Sequence, residues 1–230
     1  MMDSLQQILG WMPALIKASG ITLLLTATSV SAGLILSVFL ALGKISRPHE
    51  DFLLNAASTG VRWLSSGYIF FFRGTPLLMQ LFFIYYTLPN IVPQFTINDR
   101  FFAAFLAFSL NIAAYLAEII RAAIQSIDKG QFEASHALGF SYAQTMRMII
   151  IPQSYRRMIP PVCNEFVMVL KDTSLVSIIA LTDLTFQTKM IASNKASSLV
   201  YIPAMVLYLI MTAFFTIVFN RLEKKTSSHL

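Results

Sequence analysis

Charged and amide side chains lie inside stretches of the chain that are otherwise apolar. Residues 164–175 read NEFVMVLKDTSL, in which Glu165 and Asp172 are seven apart and share one face of a helix, as do Asn164 and Lys171. Charges in an apolar setting are costly unless they meet a charged ligand or each other. The tract therefore indicates either a ligand site or an ion-pair network that holds helices together, and the residues alone leave both readings open.

A basic residue, Arg73, lies within another apolar run, in the segment 72–76, FRGTP. A basic side chain at mid-bilayer costs roughly 2.5–3.5 kcal/mol on insertion scales, so it usually has a partner or lines water. Gly74 and Pro76 are expected to break the helix just beyond it, and a broken helix offers free N–H and C=O groups to a polar ligand. The alternative is that Arg73 snorkels, or pairs with Glu165 as a packing clamp.

A polar stripe follows one face of a third apolar run. Asn111, Tyr115, Glu118 and Gln125 stand at i, i+4, i+7 and i+14, a spacing that places them together on a helix. In a membrane helix such a stripe faces a cavity or hydrogen-bonds a neighbouring helix. Glu118 and Arg121, three residues apart, can pair with each other at the cytoplasmic side.

The composition is that of an integral membrane protein. Of 230 residues 56% are hydrophobic and 12% are charged, and the mean hydropathy is +0.66. The net charge of +6 does not indicate a nucleic-acid partner, because the basic residues stand at segment ends and are not interleaved with stacking aromatics. The lone Cys163 lies in an apolar run and is interpreted as a packing residue.

Motifs for catalysis, cofactors and metals are missing from the sequence. Gly43-Lys44 is the only Gly-Lys pair and lacks the upstream glycine of a P-loop, so we expect no ATP binding by this chain. The three histidines are scattered and no H-E-x-x-H occurs, which argues against a metal site. An intramembrane enzyme using Glu118, Glu165 and Asp172 would lack a nucleophile, so we predict no catalytic, cofactor-binding or metal-binding residues.

The apolar runs predict five membrane-spanning helices in a single all-α transmembrane domain that occupies residues 1–230, each span needing about 20 apolar residues. Small residues in the first run, among them Gly33, should let another helix approach closely. Residues 1–17 are predicted to form a separate amphipathic helix at the outer interface, with Trp11 at headgroup level. The predicted spans are 18–43, 55–88 (crossing with a tilt), 100–125, 159–180 and 199–220.

Basic residues set the orientation of these spans. One side of the predicted membrane holds Lys44, Arg47, Lys129, Arg147, Arg156, Arg157, Arg221, Lys224 and Lys225. The other side holds only Lys17, Arg100, Lys189 and Lys195. Because basic residues are retained in the cytoplasm, the C-terminus is predicted to lie inside and the N-terminus outside.

The residues 128–152, DKGQFEASHALGFSYAQTMRMIIIP, are too polar to cross a bilayer and are patterned as two short helices. Asp128 with Gln131, and Ser141 with Gln144, fit capping boxes. Gly139 allows a turn between the helices, and Pro152 is expected to end the second one. The charge argument places this segment in the cytoplasm, where a soluble partner can bind it.

This segment resembles the EAA loop of prokaryotic ABC-importer permeases, in which EAA is followed after three residues by Gly and after nine more by I-x-L-P. The departures are Ser135 for the second Ala and Ile151 for Leu, both conservative in size. The resemblance implies a type I ABC importer permease fold, whose coupling helix docks on a cytoplasmic ATPase. The coupling residues it implies are Phe132, Glu133, Ala134, Ser135, Leu138, Gly139 and Pro152.

Further tracts resemble the polar amino-acid branch of these permeases, namely YIFFFRGTPLLMQLFFIYY at 68–86 and NEF-x(4)-KDTSLVS at 164–177. An amino acid carries an ammonium and a carboxylate, so it needs an acidic and a basic partner close together. The resemblance implies that Asn164 and Glu165 contact the substrate. Together with Arg73, and with Tyr115 and Glu118 of the polar stripe, they form the predicted substrate path. Ala122-Ala123 and Asp128 resemble the cystine-type branch, while basic amino-acid and glutamine types remain open.

The resemblance also implies partners and a location. The chain would be a multi-pass protein of the prokaryotic inner membrane, driven by a separate ATPase dimer. It would pair with a second, identical or paralogous permease subunit, and an extracytoplasmic amino-acid-binding protein would deliver ligand to loops 89–99 and 183–198. The alternative is an autonomous channel or scaffold that binds another soluble protein through the same loop.

Overall fold

The computed structural model describes residues 2–45 and 52–227, and these are almost entirely helical, with no strand among them. Arg47, which contributes to the charge argument, lies outside these residues. The main helices are α1 (Met2–Ile45), α2 (Phe52–Gly74), α3 (Leu77–Phe82), α4 (Leu88–Ile91), α5 (Arg100–Gln125), α6 (Lys129–Ala137), α7 (Tyr142–Thr145), α8 (Ile151–Asp172), α9 (Leu184–Lys195) and α10 (Tyr201–Ser227).

Helix α1 is a single helix of 44 residues, so the separate segment predicted at residues 1–17 continues into the first span without a break. Pro13 lies inside this helix and does not end it. The reason is tertiary: Leu15 is fully buried against Leu184 and Val200, and Trp11 packs on the same cluster. Packing therefore outweighs the hydrogen bond that the proline removes.

Helix α5 is the centre of the bundle and makes its most extensive contact with α1. Asp99 caps its first turn, accepting hydrogen bonds from the backbone N–H of Phe101 at 2.8 Å and of Phe102 at 3.4 Å. The two helices approach closely at Gly33, where an added Cβ would lie 2.2 Å from Ile112 Cγ2. This confirms the close helix approach predicted at Gly33.

The second predicted span is broken. Helix α2 ends at Gly74, and a bend of 104° separates it from the helical stretch that begins at Leu77. Pro76 is extended, with ψ of 137°, which confirms the break predicted from Gly74 and Pro76. The tract 55–88 is therefore two helices at a sharp angle rather than one straight helix, and its single crossing of the membrane stays a prediction.

Three described helices are long and apolar enough to cross a membrane: Gln6–Ile45, Arg100–Gln125 and Ser198–Lys225. The bent pair counts as a fourth only if both halves belong to one crossing. Helix α8 carries five charged residues (Arg156, Arg157, Glu165, Lys171 and Asp172) and stays outside this set. The five predicted crossings and their orientation therefore remain predictions.

Candidate functional site

Helix α6 and its flanking turns form the first candidate site. Asp128 caps the helix, its Oδ1 accepting a hydrogen bond from Gly130 N at 2.7 Å. The predicted hydrogen bond from the backbone N–H of Asp128 to the Gln131 side chain does not form. The Gln131 side-chain oxygen instead accepts from Gln153 Nε2 at 3.4 Å. Asp128 is therefore the N-cap as predicted, but the capping box is not formed, and the Gln131 side chain links α6 to α8.

Helix α6 ends in a Schellman motif at Gly139, whose φ of +81° lies in the left-handed region. Phe140 N donates to Ser135 O, and Gly139 N donates to His136 O, both at 3.0 Å. The second predicted capping box is confirmed: Ser141 N donates to Gln144 Oε1 at 2.8 Å, and Gln144 N donates to Ser141 Oγ at 3.3 Å.

Pro152 does not end the second helix of this segment, so that prediction is wrong. Helix α7 runs through a π-helical turn, Met146–Ile150, directly into α8, and Pro152 stands in the first turn of α8. A π-helical turn widens the backbone and shifts its hydrogen bonding, which accommodates a residue without an N–H. The helix that carries Glu165 is thus continuous with the second helix of the segment 128–152.

The two faces of α6 differ in what they contact. Phe132 packs against a cluster that includes Ile124 and Met146, and Ser135 is buried and donates to Gln131 O. On the opposite face Glu133, Ala134 and Leu138 are exposed, the last with 77% of its surface accessible. One face therefore attaches α6 to the bundle, and the other offers a mixed polar and apolar surface to a partner.

The second candidate site is a 570 Å³ cavity, called here the central cavity, bounded by the break after α2 and by α5 and α8. Three of the predicted path residues, Arg73, Tyr115 and Glu165, line it, and so does Asp172. The remaining lining residues are Gly74, Thr75, Pro76, Leu77, Leu78, Phe108, Asn111, Ile112, Met168, Val169 and Leu175. The cavity thus brings one basic and two acidic side chains together among apolar walls.

Arg73 lies with its guanidinium carbon 5.5 Å from the centre of the Tyr115 ring, within the range of a cation–π contact. Among the residues that the structure describes, no salt bridge joins Arg73 to Glu165. The predicted packing clamp between these two residues is therefore not formed. Both charges face the central cavity, which is the arrangement that a ligand carrying both signs of charge requires.

The broken backbone beside Arg73 is held by two amides. Gln80 Nε2 donates to Phe72 O and to Thr75 O, both at 3.0 Å, and Asn111 Nδ2 donates to Phe72 O at 3.2 Å. Asn111 Nδ2 also lies 2.9 Å from Gln80 Oε1. These bonds satisfy carbonyls that lose their helical partners at the break. Sequence reasoning placed Asn111 on the polar stripe but missed that Asn111 and Gln80 satisfy the carbonyls at the break. The available signal was Gln80, an amide a few residues after the Gly74-Thr75-Pro76 break.

Two predicted path residues lie outside the central cavity. Glu118 is bound by Lys44, at 2.9 Å between Nζ and Oε2, and by Arg121, whose Nε is 2.9 Å from Oε1. The predicted Glu118–Arg121 pair is therefore present, but Glu118 is satisfied by the chain itself. Asn164 is exposed on α8 and is not among the lining residues, because its neighbour Glu165 takes the inward position.

Within the described ranges, no three His, Cys, Asp or Glu side chains form a metal-type cluster.

Comparison with known proteins gives consistent matches. Residues 53–228 match the family model described as "binding-protein-dependent transport system inner membrane component". The chain is 37% identical over 219 residues to the probable amino-acid ABC transporter permease protein YckA of Bacillus subtilis (strain 168), covering 95% of this chain and 91% of that relative. It is 36% identical over 212 residues to the L-cystine transport system permease protein TcyB of the same organism, covering 91% and 85%.

A solved structure has the same fold. The crystal structure of an amino acid ABC transporter with histidines superposes with a TM-score of 0.87 at 35% sequence identity, covering 96% of this chain and 97% of that chain. The match confirms the predicted all-helical importer-permease fold.

Proposed function

The chain belongs to the family of binding-protein-dependent transport system inner membrane components, and from this we propose that it is the permease subunit of an ABC importer for a polar amino acid. Its relatives are amino-acid ABC transporter permeases. With several long apolar helices it is a multi-pass membrane protein.

One observation carries the proposal: α6 is fixed to the bundle on one side and exposed on the other. Phe132 packs against the bundle and Ser135 is buried, so a force applied to Glu133, Ala134 and Leu138 is passed to the bundle. A helix attached in this way suits a soluble ATPase that closes its two halves on binding ATP. ATP hydrolysis then belongs to that separate subunit, and this chain acts without a cofactor of its own.

The central cavity supports an amino acid as the solute. Arg73 is positioned to meet an α-carboxylate and Glu165 an α-ammonium, while Tyr115 gives the solute a flat apolar contact. Charge-assisted hydrogen bonds to both ends of a zwitterion replace the water that it loses on entering. Cystine, basic amino acids and glutamine all share these two groups, so the proposal covers polar amino acids as a class.

The complete importer contains further proteins. We place five crossings in this subunit, with its N-terminus outside and its C-terminus and α6 in the cytoplasm of a prokaryotic cell. Five helices are few to enclose a path, so a second permease subunit is expected beside it. An extracytoplasmic binding protein would deliver the amino acid to residues 89–99 and 183–198.

Reconstitution tests this proposal directly. Purified protein is placed in liposomes with its cognate ATPase and binding protein, and uptake of radiolabelled L-arginine, L-glutamine and L-cystine is measured with and without ATP. We expect uptake of at least one of these only when ATP, the ATPase and the binding protein are all present. Flux through this chain alone, indifferent to ATP, would instead identify an autonomous channel.

A further inference from the structure

A second cavity adjoins the central cavity and shares two of its lining residues, Arg73 and Gly74. This α1–α2 cavity has a volume of 480 Å³ and lies between the end of α1 and the second half of α2. Its complete lining is Lys44, Ser66, Ile69, Phe70, Arg73 and Gly74. A solute held at Arg73 therefore has a neighbouring space whose other cation is Lys44.

Lys44 marks the end of this space nearest to α6. The next residue, Ile45, lines a further cavity of 560 Å³, together with Gln125 and with Phe132 and Glu133 of α6. Gln125 in turn accepts a hydrogen bond from Arg121. This cavity and the α1–α2 cavity share no lining residue, but Lys44 and Ile45 are consecutive in α1, so both cavities reach the end of that helix.

The Lys44–Glu118 salt bridge stands at the edge of the α1–α2 cavity, which Lys44 lines and Glu118 does not. Its two side chains are 25% and 19% exposed, so water and small ions reach them, and a partly exposed pair of this kind contributes little to stability. Glu118 also forms a salt bridge with Arg121, so it keeps one cationic partner when its salt bridge with Lys44 breaks. Exchange of one carboxylate for another at Lys44 therefore leaves no charge unpaired.

We propose that Lys44 is an exit subsite that binds the α-carboxylate of the transported amino acid after it leaves Arg73. The carboxylate displaces Glu118 from Lys44, Glu118 remains on Arg121, and the amino acid passes on toward the cytoplasmic end of the bundle. Glu118 stands on α5, whose C-terminal end leads within a few residues to α6. Movement of α6 would thereby alter the strength of the Lys44–Glu118 pair. This inference rests on the proposed function.

A labelling experiment tests, without requiring transport, whether the α1–α2 cavity is open to solutes from the ATPase side. Ser66→Cys, which lines the α1–α2 cavity, is compared with Gly67→Cys, its exposed neighbour on another face of α2. Both are made in a Cys163→Ala background in the complete complex, reconstituted in liposomes, because Cys163 is the only native thiol. A membrane-impermeant, anionic thiosulfonate added from the ATPase side should react faster at Ser66→Cys. Equal labelling rates at the two positions would overturn the proposed path of the solute through the α1–α2 cavity.

Charge variants test the subsite in uptake assays with whichever of L-arginine, L-glutamine and L-cystine the wild type imports. Lys44→Met should lower the uptake rate about fivefold, the size expected for one partly exposed charge partner. Lys44→Arg keeps the charge and should lose less of the uptake rate than Lys44→Met, and the matched control Lys17→Met should retain the wild-type rate.

Glu118→Gln distinguishes a carboxylate-binding role of Lys44 from a purely structural salt bridge between α1 and α5. It breaks the same salt bridge but leaves Lys44 free for a carboxylate, so uptake should persist. Equal losses in Lys44→Met and Glu118→Gln would show a structural clamp and overturn the subsite. Absence of uptake in the wild type would instead count against the proposed function, and the labelling result would stand separately.

Discussion

Two groups of polar side chains inside the helices differ in what satisfies them. Ser19 and Thr26 each donate to a backbone carbonyl one turn back, at 2.9 and 2.8 Å, and Glu118 is held by two cations of the chain. Arg73 and Glu165 have no such ionic partner among the described residues and face the central cavity. The second group is therefore the one available to a solute.

Replacing Glu165 tests this assignment. Glu165→Ala should weaken substrate binding and reduce substrate-stimulated ATP hydrolysis in the complete complex by about tenfold, because a charged partner of the solute is lost. Assembly should be unaffected, as shown by co-purification of the subunits. The exposed neighbour Asn164→Ala serves as the control, and an equal effect of the two substitutions would remove Glu165 from the site.

Gln80 is predicted to position Arg73 through the broken backbone. Gln80→Leu leaves the carbonyl of Thr75 without its side-chain donor and the carbonyl of Phe72 with Asn111 alone, which should destabilise the protein by about 1–3 kcal/mol. It should also weaken substrate binding, although Gln80 is buried and is not among the residues that line the cavity. Thermal unfolding in detergent and equilibrium binding measure the two effects. The exposed Gln94→Leu is the control, and wild-type binding in Gln80→Leu would contradict the positioning role.

Single-residue properties could be predicted where they depend on the residue itself. Arg73 and Glu165 are charges in apolar runs, and their cost alone indicates a cavity or a partner. The positions of Glu118 and Asn164 could not be predicted, because they depend on how α1 and α8 are rotated against α5. Lys44 is 74 residues from Glu118 in sequence, and no local pattern connects them.

At the scale of elements, α6 owes its sharp end to one backbone conformation. Gly139 has a φ of +81°, and a side chain there costs roughly 1–2 kcal/mol. Gly139→Ala should therefore fray the end of α6 and lower uptake per ATP hydrolysed. Hydrogen exchange of residues 134–140 and the transport stoichiometry measure this. Gly60→Ala, in an ordinary helical position with open space, is the control; unchanged exchange in Gly139→Ala would contradict the account.

The contact between α1 and α5 depends on Gly33. Gly33→Ala places a Cβ against Ile112 and should destabilise the bundle by about 1–3 kcal/mol. Gly20→Ala, on the same helix with nothing within 4 Å, should be neutral in thermal unfolding. Ile112→Ala should cost less stability in the Gly33→Ala protein than in the wild type, because it removes the side chain that the new Cβ meets. A Gly33→Ala protein as stable as the wild type would show that the helices separate without cost.

Element boundaries were predictable where the local chemistry decides them. The break after Gly74 and the turn at Gly139 follow from glycine and proline geometry, as the sequence predicted. The continuity of α1 through Pro13 and of α7 into α8 through Pro152 was not predictable in this way. Burial of Leu15 and the π-helical turn at Met146–Ile150 offset the missing N–H in each case.

At the scale of the whole molecule, α5 connects the two candidate sites. Its middle contributes Asn111 and Tyr115 to the central cavity, and its end packs through Ile124 against Phe132 of α6. A displacement of α6 therefore reaches the cavity through one rigid helix. The proposed importer needs such a connection between the ATPase and the solute, since coupling requires two sites that bias one shared change of conformation.

The most direct measurement is paired ATP hydrolysis and amino-acid uptake by the complete transporter carrying Glu133→Arg, with Glu133→Gln as the matched control. A reversed charge on the exposed face of α6 should mismatch the ATPase surface, so Glu133→Arg is expected to hydrolyse ATP while importing about tenfold less amino acid per ATP. Glu133→Gln should lose less of the uptake per ATP than Glu133→Arg. Wild-type uptake per ATP in Glu133→Arg would contradict the claim that α6 receives the force of the ATPase.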